Sequence, residues 1–254
     1  MRALYDLGKY LTSFNFFEWL LLAEAKGATK IVFDIRGMRG DKWPLPVARR
    51  RFESICLPGP ALIGLPFEVF DGRTIGQTYA KDIATPGGRP LVDFWKAGGR
   101  FKRLRSVKKP MSQRYTITLR KTQRSPARDS DEAVWRDFAS EIGARIIPDY
   151  DDVPIHLHDR VALYAGAKMN FFVSNGPGVL CSFTEYPCML FNTIHAAGSL
   201  KADGLEYGAQ YPWMLPNQRT IWELATPESL RRHFLHWRET GLFGEDRFPA
   251  PAQA

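Results

Sequence analysis

Basic residues gather immediately after a predicted strand in the second half of the chain. Residues 115–119 are rich in β-branched and aromatic side chains, which favours a strand. Arg120 follows that run, and a polar loop then carries Lys121, Arg124 and Arg128. A guanidinium group can bind two phosphate oxygens at once, and it stays charged at physiological pH. Because open α/β sheets bind ligands at the carboxyl ends of their strands, this spacing predicts a phosphate site; the alternative is a solvated basic loop.

A second polar turn follows the apolar run 171–173 and contains a proline between two glycines. The turn and its continuation are Ser174, Asn175, Gly176, Pro177, Gly178 and Val179. Proline suits the first turn of a helix, whose free N–H groups and positive dipole end would face an anion above the strand. The glycines would let a ligand approach the backbone closely. The alternative is a strand–turn–helix corner without a ligand, since the turn matches neither the dinucleotide-binding nor the P-loop pattern.

Alternating strands and helices must position these two features. The predicted strands are 3–5, 30–35, 61–70, 115–119, 144–147, 171–173 and 188–191, and the predicted helices are 14–26, 47–56, 129–142, 157–168, 177–184 and 227–237. This order predicts an α/β protein of two Rossmann-like lobes with a cleft between them. The predicted division is an N-terminal α/β lobe at 1–98, a basic linker at 99–113, a C-terminal nucleotide-binding lobe at 114–243 and a tail at 244–254.

The positive charge of the 254-residue chain is local, although its net charge is +8. Residues 94–128 hold 12 of the 35 Lys and Arg residues and no Asp or Glu, which leaves 23 basic against 27 acidic residues elsewhere. Such a field favours an anionic partner: a phosphorylated small molecule, an anionic membrane or a nucleic acid. Three cysteines without metal-ligand spacing indicate buried thiols in a reducing, cytoplasmic compartment. A signal peptide is not expected, and no apolar run reaches the roughly 20 residues that span a bilayer.

One stretch resembles a known family of enzymes. The order Ile117-Thr118-Leu119-Arg120, loop, helix and strand, followed by 159–164 and 170–178, is similar to the C-terminal lobe of GT-B glycosyltransferases. The nearest likenesses are the fucosyltransferase-like and heptosyltransferase-like enzymes of bacterial surface polysaccharides. The likeness covers about residues 114–192, and the N-terminal part matches only in its β–loop–α–β start. It implies a GT-B-like fold and a metal-independent, cofactor-free transfer of a sugar from a nucleotide-diphosphate sugar to an acceptor hydroxyl.

The resemblance also implies roles for individual residues. Arg120 matches the arginine that holds the β-phosphate of the donor, and the turn 174–178 would line the nucleotide site. Asp6, at the end of the first predicted strand, is the candidate base in an acceptor-side lobe; the alternative is a loop-capping carboxylate. Glu185 would reach a ribose hydroxyl, or else is a surface charge at a helix end. The implied partners are a nucleotide sugar and a glycan or lipid-linked acceptor, with the basic linker held at the anionic inner membrane.

Other residues of metal-binding or sugar-binding type have more ordinary interpretations. The run Asp149-Tyr150-Asp151-Asp152 resembles a metal-binding Asp-x-Asp motif, but its place after the second strand of the C-terminal lobe favours an acidic turn. His156, His158 and His195 lack the spacing of metal ligands, so no metal site is predicted. The aromatic segment 207–213 would either stack on a sugar or pack as a strap against the core.

Two other functions compete with sugar transfer. A nucleic-acid-binding protein would use the basic segment 94–128. Aromatic residues are not interleaved through its part 100–128, and no known binding module is visible, so no nucleic-acid partner is expected. A catalytically silent lobe would bind a nucleotide or a protein partner and perform no reaction.

Overall fold

The structure is a computed structural model that describes residues 1–38, 43–72, 80, 83–122, 128–150, 154–191 and 197–247. Its strands are β1 (Arg2–Asp6), β2 (Lys30–Asp34), β3 (Phe67–Phe70), β4 (Gln113–Lys121), β5 (Ala144–Tyr150), β6 (Ala167–Val173), β7 (Cys188–Phe191) and β8 (Gln218–Thr220). Its α-helices are α1 (Asn15–Ala25), α2 (Leu45–Arg51), α3 (Gly88–Lys96), α4 (Glu132–Ile142), α5 (Leu157–Ala165), α6 (Gly176–Ser182), α7 (Ala197–Ala202) and α8 (Pro227–Thr240).

Two compact units divide the chain. The N-terminal unit is Met1–Lys109 with Asp151–Ala162, and the C-terminal unit is Pro110–Tyr150 with Leu163–Ala254. Each unit contains a parallel sheet and helices, so the predicted α/β class is confirmed. The division falls inside the predicted linker 99–113. Leu104 in that stretch is fully buried, and the Arg105 N–H donates to the Leu62 carbonyl at 2.9 Å. This part of the predicted linker therefore belongs to the N-terminal unit.

The N-terminal unit is built on the parallel sheet β1-β2-β3. Helix α1 connects β1 to β2 and buries a wide apolar face, including Phe16 and Trp19, against Tyr5 of β1. Gly27, with φ of 92°, follows the helix in a backbone conformation that other residues adopt only with strain. Burial raises the pKa of the Cys56 thiol to about 12, and all three cysteines are buried and free, as predicted.

The C-terminal unit contains the sheet β5-β4-β6-β7-β8, in which every neighbouring pair is parallel. The chain passes from β4 to β5 on one side, and from β6 through β7 to β8 on the other. Strands β4 and β6 are therefore the neighbours at which the direction of the connections reverses. In open α/β sheets, ligands bind outside the carboxyl ends of the strands at such a reversal.

One face of this sheet carries the main hydrophobic core. Helices α4 and α8 cover it. Phe138 packs against Phe171 and Phe234 against Tyr115, on the two central strands, and Trp135 packs against Phe191 of β7. Gly143, with φ of 67°, ends α4 before β5 begins. Burial of several aromatic rings on one face fixes which side chains of β4 and β6 point away from it, since strand side chains alternate between faces.

Polar side chains on the opposite face fasten β4 to β6. The Thr116 hydroxyl donates to the Asn170 Oδ1 at 2.5 Å, and the Asn170 Nδ2 donates to the carbonyls of Tyr164 and Pro187 at 3.1 and 2.9 Å. The hydroxyls of Thr118 and Tyr164 lie 3.0 Å apart. All of these side chains except Pro187 are buried, so the network specifies the register of the two strands that carry the predicted site residues.

The region 59–70 differs from its predicted strand. It begins with a 3₁₀ helix at Gly59–Ile63, and Gly64 ends that helix in a left-handed conformation with φ of 74°. Only Phe67–Phe70 pairs as a strand. Pro60 and Gly64 explain the difference, because proline favours the start of a helical turn and glycine favours its end.

Other boundaries also differ from the sequence predictions. Strand β5 continues through Pro148, which an edge strand tolerates because proline donates no hydrogen bond. Helix α5 ends at Ala165 because β6 already begins at Ala167. Three short elements, α3, α7 and β8, were not predicted.

Two C-terminal stretches pack on the second unit. In the aromatic segment 207–213, Trp213 is buried and donates from its indole N–H to the Ser182 hydroxyl at 3.0 Å, as a strap against the core would. The first residues of the predicted tail are also held: the Asp246 carboxylate accepts from the Trp222 N–H at 3.1 Å and pairs with Arg219 at 3.4 Å. Residues 248–254 lie outside the described part. Among the described residues, no helix has the length and apolar character needed to traverse a bilayer.

Candidate functional site

Arg120 lies at the carboxyl end of β4 and is held by the loop that follows. Its guanidinium donates to the Asp129 carboxylate at 2.9 Å, and both side chains are largely buried. The Arg120 N–H donates to the Ser130 hydroxyl at 2.9 Å, and the Thr122 N–H donates to the other Asp129 oxygen at 3.0 Å. Asp129 and Ser130 therefore fix Arg120, while Asp131 caps helix α4 by accepting from the Val134 N–H. The prediction that Asp129 or Ser130 caps this helix was wrong, because both residues are used to hold Arg120 and the loop.

Arg128 joins the loop after β4 to the turn after β6. Its guanidinium donates to the Ser174 carbonyl at 2.9 Å. The predicted basic loop and the predicted Gly/Pro turn therefore meet at one edge of one sheet, at the reversal between β4 and β6. Arg124, the other predicted arginine of the loop, lies outside the described residues.

The turn after β6 is capped by its own asparagine. The Asn175 Oδ1 accepts from the Gly178 N–H at 2.9 Å, so this first-turn amide is already used. Helix α6 has only seven residues, which limits its dipole, and Pro177 in its first turn is buried. Gly178 makes close packing contacts instead of leaving room for a ligand: a Cβ there would lie 3.2 Å from both Leu190 and the Phe172 Cβ.

Two buried donors at this edge lack an acceptor among the described residues. These are the Asn175 Nδ2, on a side chain only 5% exposed, and the Nε of the half-buried Arg128. Buried N–H groups in proteins are nearly always paired, so such donors require an explanation. An anion bound at this edge is one kind of acceptor that such donors would accommodate.

A cavity of about 230 Å³ opens on the β5 side of Arg120. The side chains that surround it belong to Leu119, Arg120, Lys121, Asp129, Ser130, Glu132 and Tyr150. Its lining carries both signs of charge: Arg120 and Lys121 are positive, and Asp129 and Glu132 are negative. Sequence reasoning missed Tyr150 as a site residue. The pairing register, which places Tyr150 beside Lys121 and Asp149 beside Arg120, is the signal that identifies it.

Three further predicted residues of the C-terminal unit have modest structural roles. Lys121 is exposed and borders the cavity. Val179 is half-buried, and its carbonyl accepts from the Ser182 hydroxyl at 2.7 Å. Glu185 is exposed beyond α6, and its carbonyl accepts from the Asn217 Nδ2 at 3.0 Å.

Asp6 lies in the N-terminal unit, at the carboxyl end of β1. Its Oδ1 accepts from the Gly8 N–H at 2.8 Å, which is the loop-capping arrangement considered from the sequence. The register places Asp34 of β2 beside it, and the Asp34 carboxylate binds the Arg36 Nε and NH2 at 2.9 and 2.6 Å. Sequence reasoning did not single out this ion pair.

Of the residues considered as metal ligands, His158 has another partner. The His158 Nε2 lies 2.9 Å from the Pro58 carbonyl, Asp149 lies on β5, and Asp151, Asp152 and His195 fall outside the described residues. A group that the sequence did not indicate is Glu223, His233 and Asp246, whose ligand-type atoms lie within 4.8 Å of one another.

That group is better explained as an ion-pair network than as a metal centre. Glu223 is paired with Arg232 and accepts from His233 at 3.2 Å, while Arg219 and the Trp222 N–H engage Asp246. Burial lowers the pKa of His233. Burial alone would raise the pKa of Glu223, but hydrogen bonds from Arg232, the Arg247 amide and His233 outweigh it and lower that pKa. The arginines supply the positive charge that a metal ion would otherwise supply.

The C-terminal unit therefore brings Arg120, Arg128 and Asn175 to the carboxyl ends of β4 and β6, and a small cavity with hydroxyl and carboxylate groups lies beside Arg120. Comparison of the chain with models of protein families, with curated proteins and with solved structures found no match.

Proposed function

We propose that this chain is a glycosyltransferase that transfers a sugar from a nucleotide-diphosphate sugar to an acceptor hydroxyl in the synthesis of cell-surface polysaccharide. The observation that carries the proposal is the hydrogen bond from the Arg128 guanidinium to the Ser174 carbonyl. It joins the basic loop and the polar turn at the point where the connections of the sheet reverse, which is where such sheets bind nucleotides.

The diphosphate of the donor is assigned to the β4–β6 side of this edge. Arg128, Arg120 and the Asn175 amide present N–H donors there, and two of these donors lack an acceptor within the described part of the chain. Arginine binds phosphate in bidentate fashion and remains charged, so it also stabilises a departing diphosphate without a metal ion.

Part of the nucleoside is assigned to the cavity on the β4–β5 side. Its 230 Å³ is below the roughly 300–1,000 Å³ of complete ligand pockets, so it would take a ribose or a base but not the whole donor. The carboxylates of Asp129 and Glu132 accept from hydroxyl groups, as acidic residues do with ribose in other nucleotide-binding sheets. Tyr150 adds an aromatic face.

In the proposed reaction, the acceptor hydroxyl attacks the anomeric carbon of the donor sugar. The bond from that carbon to the β-phosphate oxygen breaks, and the nucleoside diphosphate leaves with the electron pair. A carboxylate takes the hydroxyl proton, and Asp6 remains the candidate base. A GT-B-like plan, with donor residues in the C-terminal unit and acceptor residues in the N-terminal unit, is part of the proposal.

Binding of nucleoside diphosphates tests the donor site. Thermal-shift measurements with GDP, UDP, ADP and CMP should reveal a stabilising nucleoside diphosphate, because a ligand that binds only the folded state raises the melting temperature. Arg120→Ala and Arg128→Ala should each weaken its binding about 10- to 100-fold, the usual effect of losing a hydrogen bond from a charged group. The nucleotide-induced shift is compared within each variant, since loss of Arg120 also disturbs Asp129.

Arg145→Ala is the matched control. Arg145 is an exposed arginine on β5 of the same sheet but lies near the amino end of that strand. It should leave nucleotide binding unchanged. Equal losses in all three variants, or no loss at Arg120 and Arg128, would contradict the site. Release of the nucleoside diphosphate from nucleotide sugars, tested with glycan and lipid-linked acceptors, distinguishes an enzyme from a silent nucleotide-binding protein.

A further inference from the structure

Aromatic and basic side chains form a continuous surface at the end of α3 in the N-terminal unit. The rings of Trp95 and Phe101 pack together with centroids 5.1 Å apart, and both side chains are partly exposed. The Arg100 guanidinium lies 4.4 Å from the Trp95 ring, and that of Arg103 lies 5.7 Å from the Phe101 ring. We call these four residues the α3 patch.

The backbone around the patch holds its rings in place. Gly99 packs on the Phe94 ring so closely that a Cβ there would lie 2.4 Å from it. The Arg100 guanidinium also donates to the Gly99 carbonyl at 2.7 Å. Leu104, three residues after Phe101, is fully buried and anchors the segment to the unit. The patch is therefore held in place by packing and hydrogen bonds within the unit.

The charge of the surrounding segment is strongly positive. Residues 94–109 contain seven Lys and Arg residues and no Asp or Glu. Two carboxylates from elsewhere in the unit pair with this segment, Glu24 with Lys102 and Asp159 with Lys108. The balance remains positive, which matches an anionic partner.

The geometry of the rings favours a lipid surface over a nucleic acid. Stacking on bases needs an open aromatic face, but Arg100 occupies one face of Trp95, and Phe101 packs against it at 57° instead of in parallel. Tryptophan at a membrane interface needs no open face, because its amphipathic ring sits at the level of the head groups. Arginine and lysine beside it then contact lipid phosphates.

We propose that the α3 patch binds the surface of an anionic phospholipid bilayer, with Trp95 and Phe101 at the head-group level and Arg100 and Arg103 on lipid phosphates. This inference gives residues and geometry to the membrane contact expected from the basic linker, and it does not depend on the proposed sugar transfer. It places the bilayer contact in the N-terminal unit.

Vesicle co-sedimentation of the full chain tests the patch. Binding to vesicles of phosphatidylcholine with one quarter phosphatidylglycerol should exceed binding to pure phosphatidylcholine and should fall as salt is raised, because exposed charges are screened. Arg100→Gln with Arg103→Gln should weaken binding about 10- to 30-fold, since each arginine near such a surface contributes about fivefold. Quenching of tryptophan fluorescence by brominated lipid should be lost in Trp95→Phe.

The double variant Arg49→Gln with Arg50→Gln is the control for net charge. These two arginines are exposed on α2 of the same unit, so the control removes equal charge away from the patch. It should retain most of the binding. Binding that is independent of anionic lipid, or lost equally in both double variants, would overturn the proposal. So would quenching that persists in Trp95→Phe, or a tighter, salt-sensitive complex with single-stranded RNA that Arg100 and Arg103 control.

Discussion

Gly178 of α6 packs closely against two strands of its own sheet. We expect Gly178→Ala to destabilise the protein, because the new methyl group would lie 3.2 Å from Leu190 and Phe172. Overpacking costs about 1–3 kcal/mol, which outweighs the roughly 1 kcal/mol that alanine gains over glycine within a helix. Urea unfolding measures the change, and Gly244→Ala, whose Cβ would lie at least 3.4 Å from its neighbours, should be nearly neutral. Unchanged stability with lost nucleotide binding would return Gly178 to a ligand-binding role.

Individual residues also show what could be predicted from the sequence and what could not. The residue types at Arg120, Arg128 and Ser174 led to the prediction of an anion site, because guanidinium groups bind phosphate in bidentate fashion. The ion pair between Arg120 and Asp129 could not be predicted. Each of the three adjacent residues Asp129 to Asp131 suits a helix cap, so the sequence does not show which of them is left to bind Arg120. The packing role of Gly178 was hidden because the contact involves Leu190 from a different strand.

At the scale of elements, the ion-pair network around Glu223 fastens the segment 244–247 to β8 and α8. The pKa of His233 is lowered by burial, so the unfolded chain takes up a proton near pH 6.5 while the folded protein resists it. The pKa of Glu223 is also lowered, so its contribution is lost as the pH falls through its folded-state pKa. The His233 shift predicts that stability falls on acidification below about pH 6.5. The Glu223 shift predicts a further fall below about pH 4.5.

Unfolding in urea between pH 3 and 8 checks this prediction. Glu223→Gln should lower the free energy of unfolding at pH 7 by about 1–3 kcal/mol, because charged hydrogen bonds are lost. It should also flatten the acid dependence below about pH 4.5, where the Glu223 carboxylate would otherwise take up a proton. Glu239→Gln, an exposed carboxylate near the end of α8, is the control and should leave the profile unchanged. An acid profile that is identical in Glu223→Gln and in the unaltered protein would refute the assignment.

Long periodic elements such as α1, α4 and β4 follow their sequence predictions because each buries its own recognisable face. Strand β8 shows the limit of prediction from local sequence pattern. It has three residues, Gln218–Thr220, and it becomes a strand only through pairing with β7. Helix α3 begins with glycines and a proline, which favour a turn in the sequence. In the structure it forms a helix whose residues Leu91 and Val92 are buried. Such elements depend on distant partners, which local pattern does not encode.

At the scale of the whole molecule, the proposed phosphate site and the proposed membrane surface belong to different units. The C-terminal unit gathers Arg120, Arg128 and Asn175 at a sheet edge, where single phosphates can be held by directed hydrogen bonds. The N-terminal unit spreads its cations along a segment with partly exposed rings, which suits a broad charged surface. The basic segment 94–128 therefore contributes to two separate features, and the composition alone does not separate them.

Hydrogen exchange on the intact chain should resolve the two surfaces. A nucleoside diphosphate should slow exchange in peptides that cover the end of β4 and the turn after β6, because binding orders backbone amides that otherwise open locally. Anionic vesicles should instead slow exchange in peptides that cover α3 and residues 97–105. The two effects should also separate by mutation: Arg128→Ala removes only the first, and Arg100→Gln with Arg103→Gln removes only the second. If a nucleotide slowed exchange only in the N-terminal unit, the proposed donor site would be rejected. The proposed membrane surface would be unaffected, since the two proposals depend on different residues.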